Sequence, residues 1–137
     1  MKTLIKNVYT VLPDGSTPLT NIMIDRDKIA SIGEVPENFR AAKVIDGKDK
    51  FAVPGFVNAH THASMTLFRS YADDMNLMDW LNNKIWPVEA KMNDDDIYWG
   101  AMLAVLEMVQ SGTTTFADMY GPHMDRVAEA TADAGIR

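Results

Sequence analysis

Pro54-Gly55-Phe56-Val57-Asn58-Ala59-His60-Thr61-His62 is the stretch on which the reading of this chain turns. Phe56 and Val57 read as a strand, and the run closes on two histidines one residue apart. Side chains alternate across a strand with period two, so His60 and His62 fall on one face. Two imidazoles so placed can hold a single divalent ion, at about 2.0–2.1 Å per Zn–N bond. Pro54-Gly55 turns the chain into the strand. The same pair also reads as two polar residues at a strand end, satisfied by hydrogen bonds. A catalytic zinc site takes three protein ligands, so the pair by itself is incomplete. Asn58 shares the face and could orient a ring or a ligand.

Upstream, residues 1–53 read as β structure. Alternation over residues 4–11 predicts a first strand. Pro13-Asp14-Gly15-Ser16 is a turn. Residues 21–25 and 28–33 make two more strands, joined as a hairpin by the short Asp25-Arg26-Asp27 link. Residues 43–46 are a fourth strand, and Phe51-Ala52-Val53 leads into Pro54. Downstream the pattern changes. Residues 63–92 are a long excursion rich in Met and Trp, with helical pieces that include residues 77–84. Asn93 is an N-cap, and Asp94, Asp95 and Asp96 complement the dipole of the helix that follows. Ile97, Ala101, Val105 and Met108 mark its buried side, and Gly112 ends it. Residues 113–119 are a β-branched strand, residues 123–134 a second helix, and Gly135-Ile136-Arg137 the approach to another strand. Strand, excursion, helix, strand, helix is the grammar of a parallel α/β fold. A closed eight-stranded barrel needs about 250 residues, and here there is room for two βα units.

Bulk properties narrow the function classes. The chain has 137 residues, 47% hydrophobic and 23% charged, enough for an ordered core. A net charge of −6 with no basic cluster argues against nucleic acid. The absence of cysteine rules out disulfides and thiolate metal sites. No apolar run is long enough for a membrane span, and the first residues lack the apolar core of a signal peptide. A cytoplasmic protein is expected.

The other polar residues divide by position. Glu89, in Trp86-Pro87-Val88-Glu89, is either a substrate-binding carboxylate or a solvated helix residue. Asp118 closes the second barrel-like strand, where barrel enzymes place functional groups. It could hold His60 or His62 in one tautomer, or cap the next helix. His123 begins a helix and reads as structural. Arg69 and Arg137 could bind anions but read as solvated. The ten methionines and Trp80, Trp86 and Trp99 are mainly core, though some of those at 65–92 could line a pocket for an apolar or thioether ligand.

Residues 54–62, followed by Ser111-Gly112-Thr113-Thr114-Thr115-Phe116-Ala117-Asp118, resemble the amidohydrolase superfamily. Met65-Thr66-Leu67-Phe68-Arg69-Ser70 and Trp86-Pro87-Val88-Glu89 resemble the branch of 5-methylthioadenosine/S-adenosylhomocysteine deaminases, beside guanine deaminases and triazine hydrolases. The resemblance implies an α/β fold: a small β-sandwich domain at residues 1–53, then the first two βα units of a (β/α)8 barrel at residues 54–137, the barrel being incomplete in this chain. It implies one Zn2+ (or Fe2+) per site, with His60 and His62 as the first ligands and Glu89 against the substrate ribose. The remaining ligands and the proton-transfer carboxylates would lie outside these residues, so no catalytic residue is assigned within them.

The implied reaction is hydrolytic deamination of an adenosine-type nucleoside at C6. Metal affinity would fall below about pH 6, because imidazole must be neutral to bind. Guanine, cytosine or triazine hydrolysis is the alternative within the class. A noncatalytic folding or interaction module is the alternative outside it. As the N-terminal third of such an enzyme, the chain would leave a strand edge and an apolar face uncovered. Self-association, or association with the missing part, is therefore expected.

Overall fold

Alternating strand formers in the first half and an amphipathic helical pattern in the second give a mixed α/β chain. The computed structural model describes residues 1–119 and 121–137. The chain divides into two compact units, Met1–Pro54 and Gly55–Arg137.

The first unit is a single five-stranded sheet. Strands β1 (Lys2–Thr10), β2 (Leu19–Asp25), β3 (Lys28–Ile32) and β4 (Lys43–Asp46) lie in the order β3-β2-β1-β4, and the short β5 (Phe51–Ala52) also pairs with β1. β2 and β3 form the expected hairpin, with Asp25 opposite Lys28. Leu4, Val8, Ile22 and Met23 are buried. β2 buries the adjacent residues Ile22 and Met23, which lie on opposite faces of a strand, and a register shift between Ile5 and Val8 interrupts the alternation of β1. The second facing sheet that a sandwich requires is not among the described residues.

In the second unit β6 (Phe56–Thr61) and β7 (Thr113–Asp118) pair in parallel. Between them come a tight 3-10 turn at Ala63–Phe68, then α1 (Leu77–Trp80), a widened turn at Leu81–Ile85, α2 (Trp86–Glu89) and α3 (Asp94–Gln110). The chain ends with α4 (Met124–Ala134). Asn93 starts α3 through a capping box: its Oδ1 accepts from the N–H groups of Asp95 and Asp96, and Asp96 accepts from the Asn93 N–H. Gly135, at φ +71°, ends α4 in the left-handed conformation that glycine supplies without strain. After it the Arg137 N–H donates to Thr114 and the Phe116 N–H donates to Arg137, so the chain returns alongside β7.

The core of this unit joins Ala63, Ile97, Ala101, Ala104 and Met108 to Val127 and Ala130 of α4. Small residues on α3 let the 3-10 turn approach closely. A Cβ on Gly100 would stand 2.7 Å from the Ser64 carbonyl oxygen. The opposite side of α3 is also apolar. Trp99, Leu103 and Leu106, spaced four and three residues apart, form an exposed stripe. No helix among the described residues is long and apolar enough to cross a membrane.

Candidate metal centre

The end of β6 carries His60, and His62 follows one residue beyond the strand. The His60 and His62 rings lie edge to face, 76° apart, with Nε2 atoms separated by 3.3 Å. Two ligands bonded to one tetrahedral zinc at 2.0–2.1 Å stand roughly 3.3–3.4 Å apart, so the spacing matches a shared ion. The alternative, a single imidazole–imidazole hydrogen bond, uses the same atoms in one tautomeric arrangement. The donor set is chemically apt: two neutral nitrogens of borderline softness suit zinc or iron. Among the described residues no group of three or more His, Cys, Asp or Glu side chains converges as a complete metal site.

The main chain around the pair is tied on both sides. Asn58 does not orient a ring. Its Oδ1 accepts the His60 N–H at 3.2 Å, because the local strand geometry brings the amide side chain back to the main chain. The Asp118 Oδ2 accepts the N–H of Ala63 at 2.9 Å, linking the end of β7 to the residue after His62. The parallel register sets Asp118 opposite Thr61, which aims the carboxylate at the start of the 3-10 turn.

That turn is held again on its far side. The Thr66 hydroxyl lies 2.7 Å from the Gly100 carbonyl and 3.1 Å from that of Ala63. Arg69 grips Glu107 of α3 with two nitrogens at 2.9 and 2.8 Å. Hydrogen bonding to Arg69 holds the Glu107 carboxyl below its ordinary range, and the same bond raises the Arg69 guanidinium. Arg69 is thus a structural clasp.

Glu89 ends α2 and is half-buried. Its Oε1 and the hydroxyl of Ser64 both lie 3.8 Å from the point where a Cβ on Gly121 would sit. The carboxylate therefore shares a space with the turn that follows His62. His123 pairs through Nδ1 with Asp94 at 2.7 Å, tying the starts of α3 and α4 together. Asp73, Asp74, Met75, Leu77 and Trp80 border an open cleft of about 550 Å³. The excursion thus contributes acidic as well as apolar lining.

Residues 51–137 match the Amidohydrolase family. The chain belongs to this family. The 5-methylthioadenosine/S-adenosylhomocysteine deaminase of Thermoanaerobacter pseudethanolicus is 51% identical over 140 residues, covering 100% of this chain and 32% of that protein. The 5'-deoxyadenosine deaminase of Methanocaldococcus jannaschii is 50% identical over 135 residues, covering 98% of the chain and 31% of that protein. Among solved structures, an adenosine deaminase from Xanthomonas campestris with bound zinc superimposes with a TM-score of 0.87 at 33% identity, over 98% of this chain and 32% of that one. The chain thus spans about a third of the length of the amidohydrolases it matches.

Proposed function

We propose that this chain forms the opening part of a metal-dependent aminohydrolase that deaminates adenosine-type nucleosides, 5-methylthioadenosine and S-adenosylhomocysteine in particular. The observation that carries this reading is the 3.3 Å approach of the His60 and His62 Nε2 atoms in a family member half identical to proteins named for that reaction. In this reading the sheet of residues 1–53 is one layer of a β-sandwich, and β6 and β7 are the first two strands of a (β/α)8 barrel. The exposed stripe on α3 and the open edge of β6 are where a second copy or further barrel units would pack.

His60 and His62 would hold zinc, the ion bound in the Xanthomonas campestris structure. The ion supplies Lewis-acid chemistry that activates water near neutral pH. The two imidazoles contribute neutral Nε2 lone pairs and transfer no proton themselves. Glu89, as a carboxylate, can accept only. It would take hydrogen bonds from the two ribose hydroxyls and so fix the nucleoside in one orientation. Orientation of this kind converts binding energy into rate. The net reaction consumes water and releases ammonia as the ring amino group is replaced by oxygen.

Two experiments test the proposal. The 137-residue chain titrated with zinc should bind one equivalent, and His60→Ala or His62→Ala should abolish that binding. A chimera in which these residues replace the matching third of the Thermoanaerobacter pseudethanolicus deaminase should deaminate methylthioadenosine, with Glu89→Gln raising KM more than it lowers kcat. A folded, zinc-loaded chimera that is inert toward adenosine nucleosides would refute the substrate assignment. Turnover of guanine, cytosine or a triazine by that chimera would establish the alternative.

A further inference from the structure

We propose that Asp118 is a positioning residue for the histidine pair, acting through the main chain of Ala63. The proposal rests on the metal reading above and assigns a role which that reading leaves open.

The first N–H groups of any helical turn have no partner inside the turn. Ala63, the first residue of the 3-10 turn, is 1% exposed, so its N–H has no access to solvent. Asp118 supplies the acceptor at 2.9 Å from 55 residues away. A carboxylate bond to a backbone N–H is among the stronger kinds of hydrogen bond. It fixes the peptide that joins His62 to Ala63.

His62 stands at φ −128° and ψ +74°, outside both strand and helix. Its ψ is the rotation about the bond leading into that peptide. Holding the Ala63 N–H on Asp118 therefore holds ψ, and with it the direction in which the His62 side chain leaves the backbone. His60 needs no such long-range anchor, because Asn58, two residues earlier, already ties its N–H. The far side of the turn is held by Thr66 and Gly100. Without Asp118 the turn would stay attached to α3, and the His62–Ala63 peptide would keep only the bond from the Met65 N–H to the His62 carbonyl.

The test compares Asp118→Asn with Asp118→Ala in the 137-residue chain. Asparagine keeps an acceptor oxygen at the same reach and discards the charge; alanine discards both. Zinc affinity should stay within about threefold of wild type in Asp118→Asn and fall about tenfold to a hundredfold in Asp118→Ala. Cobalt substituted for zinc should give an altered absorption spectrum only in Asp118→Ala.

A tenfold loss in Asp118→Asn would overturn the proposal, since charge and not acceptance would then matter. Wild-type affinity in Asp118→Ala would overturn it as well. Amide exchange at Ala63, measured without added metal, reads the link directly. It should be slow in wild type and Asp118→Asn, and fast exchange in Asp118→Asn would sink the idea even if Asp118→Ala does not fold. A wild-type chain that takes up no zinc while the Ala63 amide stays protected would refute the metal reading and the positioning role with it, but not the hydrogen bond.

Discussion

Replacing Gly100 by alanine sets two opposing effects against each other at one position. In an ordinary helix interior the change stabilises by about 0.5–1 kcal/mol, because glycine loses more backbone freedom on folding. Here the added Cβ would stand 2.7 Å from the Ser64 carbonyl oxygen and 3.1 Å from both Ser64 Cα and Leu67 Cγ. Even a favourable C–H···O contact keeps carbon and oxygen about 3.3 Å apart, so the turn and α3 must separate by roughly 0.6 Å. Leu67 can rotate away, but the Ser64 backbone cannot. It is held between the Ala63 N–H on Asp118 and the Thr66 hydroxyl on Gly100 itself. Overpacking of this kind costs about 1–3 kcal/mol, so the steric term wins and the net loss is about 1–2 kcal/mol. At this length that corresponds to a fall in Tm of about 3–8 °C by circular dichroism. The same displacement exceeds the roughly 0.5 Å tolerance of a preorganised site, so zinc affinity should fall as well. A Gly100→Ala chain with a raised Tm and unchanged zinc affinity would refute the reasoning, because helix propensity would then outweigh the backbone contact.

Three further outcomes follow from other contacts. Asn93→Ala removes the acceptor of the capping box and should cost about 1 kcal/mol in urea denaturation; no change would mean that Asp96 and water satisfy the end of α3 alone. Glu107→Gln removes a carboxylate whose pKa in the folded chain is lowered by Arg69. A lowered folded pKa means that its stabilisation is present above the ordinary carboxylate value and lost as pH falls through the folded one. The variant should thus match wild type in acid and be slightly less stable near neutrality, by a small amount that salt suppresses because the pair is exposed. A stability gap that widens toward acid pH would contradict this. Charging the α3 stripe with Leu103→Lys and Leu106→Glu should shift sedimentation toward monomer if that face carries the proposed association. An unchanged sedimentation profile would place any association elsewhere.

Local pattern carried much of the reading. Period two over Phe56–His60 put both imidazoles on one face, and the Asn93–Asp96 signature marked the start of α3. The β2–β3 hairpin and the return of the chain after Gly135 were legible for the same reason: each is written in adjacent residues. What escaped was long-range. That Arg69 meets Glu107, that Asp118 meets Ala63 and that Gly100 admits Ser64 depend on partners 36 to 55 residues apart, which no local periodicity encodes. The bond from the His60 N–H to Asn58 Oδ1 was not foreseen, although an amide side chain two residues from a backbone N–H is well placed to accept from it. The widened turn at Leu81–Ile85 also leaves no mark in the apolar spacing.

The Asp118–Ala63 link sets an order of events on the ribosome. Its two ends are 55 residues apart, and synthesis proceeds at about 5–20 residues per second, so the histidines emerge about 3–11 s before the carboxylate that holds their turn. During that interval β6 has no parallel partner, and the nascent imidazoles can meet any metal without the geometry that would retain it. On the metal reading proposed above, selective uptake would begin only once β7 has been made, and a pause in translation between residues 63 and 118 would lengthen the time in which the half-formed site is exposed.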